Sequence, residues 1–282
     1  MKVGWLIDAG VFDSYHDELA AAVVRNGDIV MSLNRPKPPY GWDDTANSYQ
    51  NAFAKNSCVV THADIDLVNR VRRDTIWTPG VIATLEHFYC SHYFSHFGRF
   101  LLNRDYVMLP FGELERTADF LFDTFGHEGQ IFVRPDSPLK LFTGTLAGRA
   151  TYARDLEFMA FYEFPMESLV VVSSPKQIET EWRFVIANQS VVAGSRYKSA
   201  NPLLTSSPID VNARQLADEI LATGYSPDPV WVMDICRTVD GQFHLLEIGC
   251  FSFANLYSCD KDAVVHAVSA VAVKMHESHQ MT

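Results

Sequence analysis

The stretch Val230-Trp-Val-Met-Asp-Ile-Cys-Arg-Thr-Val-Asp-Gly-Gln-Phe-His-Leu-Leu-Glu-Ile-Gly249 organises the reading of this chain. Two runs of β-forming residues flank Asp240-Gly241, a dipeptide suited to a two-residue type I′ turn, where both central residues need positive φ. With that pair at the tip, Asp234 stands directly opposite Glu247. Trp231, Met233 and Ile235 then share the other face with Leu246 and Ile248, as a core-facing set. Two carboxylates opposed across a strand pair repel each other. A cation between them removes the conflict, and Mg²⁺ suits such a place because it takes one or two carboxylates together with phosphate oxygens. From the residues alone, a solvated acidic pair or a register shifted by one residue stays open beside the metal reading.

A second hairpin precedes the first, with Glu179–Ile186 and Val191–Lys198 as its strands and Ala187-Asn-Gln-Ser190 between them. With Asn188-Gln189 at the tip, Glu181 faces Arg196, Glu179 faces Lys198, and Arg183 stands over Gly194. Trp182, Phe184 and Ile186 turn to the opposite, apolar face. Ordinary cross-strand ion pairs, each contributing about 0.2–1 kcal/mol, explain the charges equally well. Further upstream, Ile131–Arg134 reads as a strand delivering Arg134. Pro135 and Pro138 then fix a non-helical turn before Lys140, and Phe142-Thr-Gly-Thr145 has the composition of a flap. An Arg and a Lys brought together at a strand end suit a polyphosphate. A plain surface loop is the alternative. Neither a P-loop nor a GxGxxG fingerprint occurs.

The N-terminal part alternates between the two periodicities. Strands are expected at Val3–Ile7, Asp28–Leu33 and Cys58–Thr61. Helices are expected at Tyr15–Asn26, with Ser14 as N-cap and Gly27 past the end, and at Thr45–Asn56 and Asp64–Arg72, with a proline-rich loop at 35–41. Such alternation favours a parallel α/β layer. Further strands are expected at Tyr106–Leu109, Leu169–Val172, Glu181–Ile186 and Val191–Tyr197. Helices are expected at Glu113–Phe125, Val211–Thr223 and Asp262–His276. The division drawn is an α/β lobe over 1–105 and an α+β body over 106–282.

Composition narrows the function classes. The 282 residues include 23 Lys and Arg against 34 Asp and Glu, a net charge of −11, with 48% apolar and 20% charged residues. This is the balance of a folded chain. The acid excess argues against nucleic-acid or anionic-lipid partners, which need clustered cations. It leaves room for a small anionic ligand. The first ten residues carry no signal-peptide pattern, no apolar run is long enough to span a bilayer, and the five cysteines form no CxxC pair. The expectation is a cytoplasmic chain with reduced thiols.

Taken in order, these residues resemble the ATP-grasp fold, and more narrowly its R2K clade. The resemblance rests on Arg134-Pro-Asp-Ser137…Lys140-Leu-Phe-Thr-Gly144, Glu181-Trp-Arg-Phe184, Ala193-Gly-Ser-Arg-Tyr197 and Glu247-Ile-Gly-Cys-Phe251, with Trp77-Thr-Pro-Gly80 and Met108-Leu-Pro-Phe-Gly-Glu-Leu114 upstream. It implies ATP clasped between two α+β subdomains, with the adenine against a hinge strand at Val171-Val172-Ser173. Arg134 and Lys140 match the phosphate-touching cations, and Asp234 and Glu247 the magnesium carboxylates. Val172, Ser173, Glu181 and Lys198 are carried over as further ATP contacts. Arg183 and Arg196 are the candidates for neutralising charge on the transferring phosphoryl group and the tetrahedral intermediate. Many relatives place an Asn two residues after the second carboxylate. Gly249 stands there instead, and Asn255 is the candidate substitute ligand.

The implied activity is an ATP- and Mg²⁺-dependent carboxylate–amine ligase, forming amide or peptide bonds through an acyl phosphate, with small-molecule or peptide substrates. Phosphoryl transfer to a hydroxyl on the same fold is one alternative. A non-catalytic ATP-binding module, motivated by Gly249, is the other. His87, His92 and His96 lie in an aromatic-rich segment. His92 and His96 share a helical face, but no third zinc ligand is identifiable. Aromatic packing or a contact to the acceptor substrate are the other readings. Cys236 and Cys250 are read as packing residues.

Overall fold

The computed structural model describes residues 1–33, 49–199 and 209–281. The expected loop at 35–41 and the start of the expected helix at 45–56 lie outside them. Residues 49–56 form no α-helix. There Tyr49 and Gln50 both direct side chains to Asp74.

Three four-stranded sheets make up the architecture. The first is parallel, in the order β2-β1-β3-β4, from β1 (Gly4–Asp8), β2 (Ile29–Leu33), β3 (Cys58–His62) and β4 (Thr78–Gly80). Helices α1 (His16–Arg25) and α2 (Ile65–Asp74) connect its strands. Asp64 caps α2 by accepting from the Leu67 amide at 2.8 Å, and Leu67, Val68 and Val71 form its buried face. The expected cap of α1 by Ser14 is not formed. Tyr15 takes the N-cap position without a capping side chain, because its ring is drawn into the core and its hydroxyl meets His62 at 3.1 Å.

Helix α3 (Cys90–Phe97) leads into the second sheet, order β5-β8-β6-β7, which is antiparallel. Its strands are β5 (Tyr106–Pro110), β6 (Gln130–Pro135), β7 (Thr145–Gly148) and β8 (Leu169–Ser173). Helices α4 (Ala118–Phe125) and α5 (Tyr152–Ala160) share its core, where Leu121, Phe122 and Met159 meet Ile131, Val133 and Val172. Helix α4 is shorter than expected, since a 3₁₀ turn occupies Phe111–Glu113. Helix α5 was not expected from the residue pattern.

The third sheet, order β10-β9-β11-β12, is also antiparallel. It comprises β9 (Ile178–Ala187), β10 (Ser190–Ser199), β11 (Val230–Thr238) and β12 (Phe243–Cys250). On one face Trp182, Phe184, Trp231, Met233, Ile235 and Leu245 pack with α3 and with α6 (Val211–Leu221). On the other, Val185, Val230 and Val232 join Trp5, Phe251 and α7 (Lys261–Gln280), so the C-terminal helix shares its core with the first sheet. No helix among the described residues is long and apolar enough to cross a membrane.

Both hairpins keep the expected strands but change the expected registers. In β11–β12 only Gly241 takes positive φ, at 83°; its amide donates to Thr238 O, and the Thr238 amide to Gln242 O. The loop is therefore Val239-Asp240-Gly241, three residues closed by a left-handed glycine. This displaces the register by one, yet Asp234 still pairs with Glu247. The correction comes from a bulge, because Ile235 pairs with Leu245 and leaves Leu246 unpaired. Leu245, not Leu246, thereby fills the core. In β9–β10, Asn188 and Gln189 both have positive φ, 48° and 61°, which makes the tip a two-residue primed turn. Irregularities at Val192 and Tyr197 then shift the rest. Glu181 pairs with Lys198 rather than Arg196, and Arg183 with Ser195 rather than Gly194. Glu179 is left to accept from Arg237 at 3.0 Å.

Candidate active site

The second and third sheets face each other across a cleft of about 530 Å³ that also reaches the loop after β1. Arg134, Lys140, Glu181, Arg183, Lys198, Glu247 and Asn255 all line it. Arg134 lies next to the end of β6, and its Nη2 donates to Glu247 Oε2 at 3.1 Å across the cleft. The turn that follows is held from behind. Asp136 accepts from the Ser91 amide at 2.6 Å and from the Ser91 hydroxyl at 2.8 Å, tying the Arg–Lys loop to α3. Gly144 closes that loop over β6. A Cβ there would lie 2.9 Å from Phe132 Cζ and 3.2 Å from Arg134 Cβ, so a side chain would require Phe132 or the loop to shift.

The charges pair off. Arg183 Nε and Nη2 grip Asp234 Oδ1 and Oδ2 at 2.8 and 2.6 Å, and its Nη1 donates to Asn255 O at 2.8 Å. Lys198 Nζ meets Glu181 Oε1 at 2.6 Å. Lys140 is exposed and forms no salt bridge among the described residues. Four cations, Arg134, Lys140, Arg183 and Lys198, stand against three carboxylates, Glu181, Asp234 and Glu247, a formal charge of +1 in a protein whose overall charge is −11.

Residues not singled out from sequence complete the network. The Tyr197 hydroxyl donates between Glu181 Oε2, at 2.7 Å, and Asp234 Oδ2, at 3.1 Å. Burial and the two carboxylates push that phenol far up, so it stays a donor. The Tyr197 ring stacks on Tyr257 at 4.5 Å and 5°, with the Arg183 guanidinium against both rings. Tyr257 itself has φ 46°, a strained conformation for a bulky residue. Its amide donates to Asn255 Oδ1 at 2.7 Å, and its carbonyl accepts from Lys261 Nζ at 2.7 Å. Tyr197 ends the Ala193-Gly-Ser-Arg-Tyr197 motif but was given no role from sequence, and Tyr257 lies in no motif that points to the site. Tyr197 gets there through the β10 irregularity, Tyr257 through a left-handed turn.

The two carboxylates differ. Burial raises the Asp234 carboxyl, opposed by Arg183 and Tyr197. Burial would raise Glu247 too, but Arg134, Arg183 and Lys140 outweigh it and hold that carboxyl below the usual range. The side chain of Glu247 is 32% exposed and that of Asp234 only 1%. Glu247 is thus an ionised carboxylate open to the cleft, and Asp234 lies beneath Arg183. No group of three or more His, Cys, Asp or Glu side chains converges as a metal site among the described residues. Glu247 is the residue that could hold a divalent cation together with phosphate oxygens. The side-chain oxygen of Asn255 is already bonded to Tyr257.

Three expected residues are placed elsewhere. Arg196 pairs with Trp182, on the apolar side of the sheet, facing away from Arg183 and Asp234. Val172 and Ser173 are fully buried within β8 and do not line the cleft. Leu246, moved outward by its bulge, lines it with Ile178 and Phe132, while Val11, Phe12, Phe88, Phe253 and Ala254 line it as well. The histidines lie outside this site. His87 Nδ1 contacts Pro227 O at 2.6 Å, and His96 stacks flat on Tyr225 at 3.7 Å. Cys236 and Cys250 are free and fully buried.

Comparison with known proteins bears on the fold and the family. Residues 110–267 match the ATP-grasp domain, R2K clade family 2. A sequence search of curated proteins finds no match. Among solved structures, D-cycloserine synthetase DcsG superposes with a TM-score of 0.64 at 14% identity, covering 98% of this chain and 100% of that one. The D-alanine-D-alanine ligase from Coxiella burnetii gives 0.61 at 11% identity, covering 99% and 98%. N5-carboxyaminoimidazole synthetase from Staphylococcus aureus, complexed with ADP, gives 0.60 at 11% identity, covering 95% and 77%.

Proposed function

The chain belongs to the R2K clade of ATP-grasp domain proteins, and from that premise we propose that it is an ATP- and Mg²⁺-dependent carboxylate–amine ligase. The observation that carries the reading is the convergence of Arg134, Lys140, Arg183 and Lys198 with the open carboxylate of Glu247 on one cleft between two sheets. Leu246, Ile178 and Phe132 offer apolar surface to a nucleobase. Arg134 and Lys140 meet the phosphates, and Arg183 lies where negative charge develops during transfer. Bound at Glu247, Mg²⁺ would neutralise phosphate charge. A carboxylate oxygen of the first substrate attacks the γ-phosphorus as ADP leaves. The amine of the second then attacks the acyl carbon, inorganic phosphate departs, and the amine proton passes to solvent or base. Aromatic and aliphatic surface at Phe12, Phe88 and Phe253 is available to these substrates, either small molecules or a peptide end. The five free, buried cysteines accord with a cytoplasmic setting.

The test is a screen of carboxylate–amine pairs with ATP and Mg²⁺, following ADP release and identifying products by mass spectrometry. Expected is an amide formed with equimolar ADP and phosphate, and Glu247→Gln removing turnover while the circular dichroism spectrum is unchanged. A stable phosphoester would replace the ligase reading with phosphotransfer. Tight nucleotide binding with no consumption for any pair would support a binding module, the reading that Gly249 favours. Absence of nucleotide binding would overturn all three.

A further inference from the structure

Resting on the nucleotide reading of the cleft, we infer that this protein binds its nucleotide with one divalent cation, and that the Arg183 guanidinium stands in place of a second. Three features of the site lead to this. Asp234 is closed to metal: both its oxygens accept from Arg183, at 2.8 and 2.6 Å, Tyr197 adds a third bond at 3.1 Å, and its side chain is 1% exposed. Releasing it would strip a buried carboxylate of its cation, which is strongly unfavourable. The position two residues beyond Glu247 offers no donor, since Gly249 lacks a side chain, although a Cβ there would meet only Val232 at 3.2 Å. Two further oxygen donors of the cleft are engaged: Glu181 accepts from Tyr197 at 2.7 Å and Lys198 at 2.6 Å, and Asn255 holds the Tyr257 amide with Oδ1 and Arg183 with its carbonyl. Of Glu181, Asp234 and Glu247, Glu247 is the one with a substantially exposed side chain, 32%, and its single bond among the described residues is to Arg134 at 3.1 Å, enough for one cation shared with phosphates.

Arg183 meanwhile has what a fixed cation needs. Three of its donors are anchored, to Asp234 and Asn255, and it lies against the stacked Tyr197 and Tyr257 rings. A guanidinium carries five N–H groups, so two remain for a ligand in the cleft that Arg183 lines. It needs no ion from solution and keeps one geometry.

The test uses Mn²⁺ as the probe, with the full chain and a non-hydrolysable ATP analogue. Bound analogue per chain is measured by equilibrium dialysis. Bound Mn²⁺ per bound analogue is measured in the same samples from loss of the free-ion paramagnetic resonance signal. One analogue and one Mn²⁺ are expected. Glu247→Gln should weaken Mn²⁺ binding by about tenfold or more, while Asp234→Asn keeps the count at one. Two Mn²⁺ per bound analogue, or loss of the single Mn²⁺ in Asp234→Asn with analogue still bound, would overturn the inference but leave the nucleotide site standing. No analogue bound to the wild-type chain would overturn both.

Discussion

Replacing Arg183 by methionine keeps most of the side-chain volume and removes the charge on which the buried half of the site depends. Arg183 Nε and Nη2 hold both oxygens of Asp234, in side chains only 10% and 1% exposed. Without them the carboxylate keeps the Tyr197 hydroxyl at 3.1 Å and little else. Leaving one member of a buried pair uncompensated costs about 3–5 kcal/mol. That is a large share of the roughly 5–15 kcal/mol by which domains are usually stable. The same reasoning fixes a pH dependence. Burial already raises the Asp234 carboxyl, and losing the cation raises it further. A carboxyl whose folded pKa lies above the unfolded value of about 3.9 binds more protons folded than unfolded between the two. Its contribution therefore falls as pH rises through that window, and the penalty of Arg183→Met should be smaller at pH 5 than at pH 8. Urea unfolding at both pH values measures this. The double variant Arg183→Met/Asp234→Leu should recover to within about 1 kcal/mol of wild type or better, since buried pairs replaced by apolar groups are often neutral or stabilising. A single-variant cost under about 1 kcal/mol, or an equal cost at both pH values, would refute the claim that this pair is buried and interdependent.

Other perturbations test separate parts of the structure. Burial holds the His62 imidazole at about 3, well below its unfolded value, so the folded state refuses a proton that the unfolded chain accepts. Stability should fall by up to about 1.4 kcal/mol per unit as pH drops from about 6.5 towards 3. His62→Leu should flatten that slope, and identical profiles would refute the assignment. Gly241→Ala places a Cβ at φ 83° with nothing within 4 Å, so its cost is backbone strain of about 1–2 kcal/mol in urea unfolding. Gly98→Ala, at φ −43° and equally open, should be near neutral. Lys140→Met, on an exposed loop, should leave stability within about 0.5 kcal/mol. It should also weaken binding of an ATP analogue by about tenfold or more in calorimetry, the loss expected for one charged contact.

Much of the site was legible because its parts lie on short, strongly patterned segments. Period-two alternation around a turn dipeptide located β11 and β12, and the prolines after Arg134 marked where a strand gives way to a loop. What the pattern did not contain was the placement of extra residues. Bulges have no composition of their own, so Tyr197 at the centre of the network and Arg196 on the wrong side of the sheet both follow from one irregularity in β10. Helix α5 was missed for a related reason. Its apolar residues do not all face the core: Phe158 is exposed, and the helix owes its burial to Tyr152 and Met159 against the second sheet.

The β11–β12 hairpin separates the two kinds of information most clearly. The amino-acid sequence by itself determined two strands, a turn near Asp240-Gly241 and a pair of carboxylates at matching positions. The tertiary structure decided how that pair survives a loop one residue longer than a primed turn. The bulge falls at Leu246 because the core beneath α3 and α6 accepts Leu245, while the cleft side must carry Glu247 opposite Asp234. Side chains alternate strictly along a strand, so one uncorrected residue would have exchanged apolar and charged faces over the whole of β12. Local sequence could also not say what neutralises the carboxylates. That depends on residues far off in the chain: Arg183, brought to Asp234 by the pairing of β9 with β11, and Arg134, brought to Glu247 by the packing of the second sheet against the third.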